Sequence, residues 1–132
     1  MHRMGAQETS LSRLATLQHG VVTRGDLASL GLERRQIERR AADGRLVRVH
    51  RGIYAVGHAA LSREGRWMAA VLACGEGAVL SHRSAAVYWG CADREDLVPH
   101  VTAPRRLRPA GVVHRGRLAP ADMTVRNGIP VT

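Results

Sequence analysis

Five side chains between Glu33 and Asp43 can donate hydrogen bonds to base edges or phosphates: Arg34, Arg35, Gln36, Arg39 and Arg40. Arginine presents a planar fork that matches guanine O6 and N7, and glutamine can pair with adenine N6 and N7. This mixture suits the major groove of a DNA duplex. On a helical wheel with Ile37 facing inward, Arg35, Arg39 and Ala42 point outward. Arg34, Arg40 and Ala41 then lie on the flanks, with Gln36 and Glu38 at the borders. Base-reading residues of helix-turn-helix proteins sit toward the start of the second helix, so Arg35, Gln36 and Arg39 are expected at base edges. From Glu33 to Arg51, seven arginines (34, 35, 39, 40, 45, 48, 51) face three acids (33, 38, 43). Nearly half of the chain's net charge of +9 falls in this short stretch.

Such a face needs a scaffold, and the flanking residues predict one. Leu11, Leu14, Ala15 and Leu17 recur at helical spacing behind Thr9 and Ser10, which are expected to cap a first helix ending near Gly20. Thr23 precedes Asp26 by three, the spacing of a capping box, and predicts a short helix from Arg24 to Leu30 stopped by Gly31. The arginine-bearing helix follows, from about Glu33 to Asp43, with Gly44 as its C-terminal stop. Two β-prone runs, Leu46–Val49 and Gly52–Val56, are joined by His50-Arg51-Gly52 and read as a hairpin. Helix, helix, glycine turn, helix, hairpin is the order of a winged helix-turn-helix, here spanning residues 9–57. In it, Arg48, His50 and Arg51 are expected to touch phosphate or minor groove from the wing. Thr23 and Arg24 are expected to offer an amide and a side chain to the phosphate backbone.

Residues 61–132 read differently. After a linker over 57–60, Ser62 is expected to cap a helix carrying Trp67, Met68, Val71 and Leu72, which Gly75-Glu76-Gly77 ends. Ala78-Val79-Leu80 is extended, Ser81 is expected to cap a helix through Tyr88 to Gly90, and short alternating runs follow at Val98–Thr102, Val112–His114 and Met123–Val125. The stretch from Gly128 to Thr132 looks like the start of another element. The fold class is therefore α+β, a winged helix-turn-helix followed by a small α+β region.

Composition narrows the function. All 20 basic residues are arginine, and the 132-residue chain has no phenylalanine, so Leu, Val, Ile and Ala must fill its core. A GC-rich coding bias inflates arginine everywhere, which makes the local clustering more telling than the total. No apolar run is long enough to span a bilayer, and Met1–Ser10 lacks the apolar region of a signal peptide. With only two cysteines, Cys74 and Cys91, a reduced cytoplasmic protein is expected. The seven histidines are scattered without metal-ligand spacing, Asp93, Glu95 and Asp96 form one polar run, and no phosphate-binding loop occurs, so neither a metal, a cofactor nor catalysis is expected. The Ser81-His82-Ser84 cluster is read as helix capping. Trp67, Tyr88 and Trp89 are read as core rather than as a base-stacking platform.

The stretch VVTRGDLASLGLERRQIERRAADGRLVRVHRGIYAVG, Val21 to Gly57, resembles the winged-helix domain of AbiEi-type antitoxins of type IV toxin–antitoxin systems. Its segment RVHRGIYAVG carries the resemblance most strongly. MAAVLACGEGAVLSHRSAAVYWG, Met68 to Gly90, is similar to the middle region of members with a C-terminal restriction-endonuclease-like domain. The terminal NGIPVT resembles the segment where that region runs on into a helix. The resemblance implies a repressor that binds operator repeats in double-stranded DNA and controls its own operon. It also implies a cognate nucleotidyltransferase-like toxin, antagonised by the C-terminal region. In the family a Ser or Thr commonly caps the reading helix, where this chain has Leu32-Glu33. Two further readings stand beside this one: the DNA-targeting part of a larger nuclease-like protein, with the middle domain truncated at its end, and a protein-interaction module docking a toxin through Trp67, Met68 and Val71.

Overall fold

The first helix is longer than its sequence pattern suggests. In the computed structural model, which describes residues 2–58, 60–90, 99–104, 112–116 and 118–132, α1 runs from His2 to Leu17. Thr9 and Ser10 therefore lie inside it and cap nothing. Ala59 of the expected linker, Cys91, the acidic run Asp93–Asp96 and Val98 fall outside the described residues. The chain divides into two compact units, Met1–Gly65 and Arg66–Thr132.

In the first unit, β1 (Val21–Thr23) leads into α2 (Arg24–Ser29), α3 (Arg34–Ala42), β2 (Leu46–His50) and β3 (Ile53–Val56). Three residues are too few to show strand alternation, so the sequence pattern gives no sign of β1. It nevertheless completes a three-stranded antiparallel sheet in the order β1-β3-β2, with Val22 opposite Tyr54 and Leu46 opposite Val56. Leu11 and Ala15 of α1 bury against Val22, Leu27, Leu32, Ile37 and Leu46, so one apolar residue from nearly every element meets in a single core. Gly31 turns the chain between α2 and α3 at φ +88°, a conformation that other residues adopt only at a cost. These elements, helices followed by a two-stranded wing on a small sheet, make a winged helix.

The second unit is an α+β layer of its own. It contains most of α4 (Arg63–Ala73), then β4 (Val79–Leu80), α5 (His82–Tyr88), β5 (His100–Ala103), β6 (Val112–Arg115), a 3-10 turn (Pro120–Asp122), β7 (Thr124–Arg126) and β8 (Ile129–Val131). The sheet order is β6-β5-β4-β8-β7, with β5–β6 and β4–β8 parallel and the other pairs antiparallel. Asn127 (φ +50°) and Gly128 (φ +78°) make the tight turn that Asn-Gly favours between twisted strands. The stretch from Gly128 onward is thus a hairpin arm, and it supplies an interior strand. Leu80, Val101, Ile129 and Val131 share one buried face of this sheet, Val79 is buried on the other, and Trp67 and Met68 of α4 are buried in the same unit.

Candidate nucleic-acid interface

The start of α2 is built as its sequence spacing predicts. Asp26 N–H donates to Thr23 Oγ1 at 3.0 Å, and Thr23 N–H donates back to Asp26 Oδ2 at 2.9 Å. Gln18 Nε2 braces the same carboxylate at 3.1 Å. The amide of Arg24 donates to the carbonyl of Gly52 at 2.9 Å, which ties the tip of the wing to the first turn of α2. Thr23 thus gives its amide and a lone pair of its hydroxyl to the helix cap, and Arg24 its amide to the wing, so the amides expected at a phosphate are already taken while the Arg24 side chain is exposed.

The third helix starts without a hydroxyl cap. Glu33 N–H instead donates to Gln36 Oε1 at 2.7 Å, one arm of a capping box in which glutamine stands at the third helical position. Gln36 is exposed but its carbonyl oxygen is engaged in holding the helix end. Arg34 pairs with Glu38 one turn on, at 3.1 Å with both groups solvated. Asp43, one turn after Arg39, pairs instead with Arg45 at 2.8 Å. Arg35 and Arg39 are exposed on the face opposite buried Ile37 and have no hydrogen bond or ion pair with any described residue.

Arg40 is a correction. It is only 8% exposed, and its guanidinium pairs with the Glu8 carboxylate of α1 rather than facing outward. One residue separates it on the wheel from a solvated flank, and the wheel alone does not show that α1 extends far enough to cover it. No local signal marks Glu8, which lies 32 residues away in the chain.

In the wing, Arg48 and Arg51 are exposed and, like Arg24, have no ionic or hydrogen-bonded partner among the described residues. The strand register shifts between Arg48 and His50, a bulge next to the turn. His50 is half-buried there, and burial holds its imidazole below the ordinary histidine value. Near neutral pH it offers a neutral ring to a duplex, not a positive charge. The sequence-predicted set thus separates. Arg24, Arg35, Arg39, Arg48 and Arg51 are exposed on the first unit with no partner among the described residues, Arg34 and Gln36 are engaged on the surface, and Thr23 and Arg40 serve the scaffold.

The second unit holds polar chemistry that the scattered histidines conceal. His82 and His114 stack with ring centroids 3.6 Å apart, and His100 Nδ1 lies 3.2 Å from His114 Nε2. Ser81 does not cap α5 with its side chain. Its buried Oγ accepts from Thr102 Oγ1 at 2.8 Å and lies 2.9 Å from His82 Nδ1, while Ser84 Oγ accepts from His100 N–H at 2.8 Å. A buried serine already committed on two sides has no opening for a substrate. Among the described residues no group of His, Cys, Asp or Glu is set to hold a metal ion. Trp67 and Cys74 are buried as expected, but Trp89 is 42% exposed, with Arg126 over its ring at 4.9 Å.

No helix among the described residues is long and apolar enough to cross a membrane. No curated protein matches the chain. Residues 10–57, the span of α1 through the wing, match the family model described as transcriptional regulator, AbiEi antitoxin. With its helices, wing and exposed arginines in place, this segment of the chain is similar to the AbiEi antitoxin transcriptional regulators.

Proposed function

We propose that the chain is a sequence-specific regulator that binds double-stranded DNA, with α3 entering the major groove and the wing resting on the backbone. The observation that carries the reading is the pair Arg35 and Arg39, exposed and without a partner among the described residues, on the outer face of a helix whose inner face is anchored by Ile37. A bidentate arginine on guanine contributes about 1–3 kcal/mol of discrimination, while Arg24, Arg48 and Arg51 supply charge to phosphates. In this reading residues 9–57 are the DNA-binding domain and 61–132 a separate α+β domain. The family match further supports an antitoxin that represses its own operon, with a nucleotidyltransferase-like toxin as partner, acting in the cytoplasm and without catalysis of its own.

The test is a binding titration on a duplex spanning the region upstream of the gene. Arg35→Glu/Arg39→Glu is expected to weaken binding by at least about a hundred-fold, since two base contacts become repulsions. Affinity of the unaltered protein is expected to fall steeply with salt as arginines displace condensed counterions. Unchanged affinity in the double variant overturns the assignment of α3.

A further inference from the structure

The matched segment begins at residue 10, yet α1 begins at His2, and two residues of this added length reach both helices of the reading motif. Gln7 Nε2 donates to the Leu30 carbonyl at 3.1 Å, at the C-terminal end of α2 where helix carbonyls lack a partner of their own. The amide sits over Gly31, where even a single Cβ would come within 3.1 Å of it. The next residue, Glu8, holds the buried guanidinium of Arg40 in the last turn of α3. Arg40 is the only charged side chain buried among the described residues, and its ion-pair partner there is this carboxylate. One turn of α1 therefore grips the turn between α2 and α3 and the far end of α3 together.

We infer that Gln7 and Glu8 are positioning residues, a latch that sets the angle and stiffness with which α3 is presented to DNA. The inference rests on the proposed DNA-binding reading. A hydrogen bond at the turn fixes the relation of α2 to α1, and the ion pair fixes the roll of α3, which decides where Arg35 and Arg39 aim. Once either grip is lost, the outer arginines remain but their directions spread. Binding then costs the ordering that the latch had supplied in advance.

The experiment uses the full chain and a duplex from the upstream region. Glu8→Gln and Gln7→Ala are each expected to lower affinity about ten-fold, the scale of coupling between contacting groups. The slope of log affinity against log salt should stay unchanged, because no phosphate contact is removed. Replacing the pair by apolar residues, Glu8→Leu/Arg40→Met, should restore affinity to within about two-fold, since a packed apolar pair can substitute for a buried ion pair. A salt slope that drops by about one in that double variant would show Arg40 itself on a phosphate and overturn the latch. So would Glu8→Gln and Gln7→Ala binding as well as the parent. If Arg35→Glu/Arg39→Glu still binds the duplex, the DNA reading has failed separately. The latch is then read from amide exchange along α3 in Glu8→Gln, where faster exchange supports it and unchanged protection rejects it.

Discussion

The two units handle polar groups in opposite ways. The first sends its arginines outward and engages polar groups at helix ends, where Thr23 meets Asp26 and Gln36 meets Glu33. The second turns its polar groups toward one another, with Ser81, Thr102 and three histidines in one contiguous cluster. The difference teaches where to look for a partner. Exposed charge without a partner invites an anion, whereas hydroxyls and imidazoles bonded to one another mainly fix how strands and helix meet.

This contrast can be broken at several strengths. The largest effect is expected from Leu27→Ala, which empties a fully buried position among α1, α3 and the sheet and should cost about 3 kcal/mol in denaturant titration. A loss below about 1 kcal/mol would mean the first unit's core is not the tight cluster described. Next, Thr23→Ala removes the α2 cap and should cost about 1 kcal/mol of stability, with the DNA affinity of the folded variant near that of the parent. A clear loss of affinity in the folded variant would return the Thr23 hydroxyl to the phosphate backbone.

The subtlest test is acid. Burial, reinforced by the neighbouring His82 and His100, holds His114 below its ordinary value. The folded ring therefore takes up a proton less readily than the unfolded one, so stability is complete above about pH 6.5 and declines as the pH falls below it. His114→Gln should flatten that decline in amide exchange of the second unit. An unchanged profile would show that His114 is not the source of the decline.

Local chemistry was legible and distant chemistry was not. The Thr23–Asp26 box, Gly31, the arginine helix and the hairpin all announce themselves within a few residues, and each stands where its spacing places it. Ser62 likewise takes the Gly65 amide at 3.0 Å, as its position before α4 suggests. Ser81 has the same local signature but answers to Thr102, a strand away, so its role depended on a sheet order that alternation cannot supply. Arg40 fails for the same reason. Its environment is made by Glu8, and a helical wheel describes one helix only. The histidines show the limit most sharply, since positions 82, 100 and 114 gain meaning only once β5 and β6 are paired in parallel.

The register that sets Leu80 beside Val131 also dictates a timetable. Every strand pairing of the winged helix lies between residues 21 and 56, so this module can close early as the polypeptide emerges, N-terminal part first. The inner edge of β4 has to wait for β8, and until then its open backbone groups are a template for unwanted pairing. A ribosome-bound chain would thus carry a finished arginine surface next to an unfinished sheet, and pausing between the two would favour the first and endanger the second.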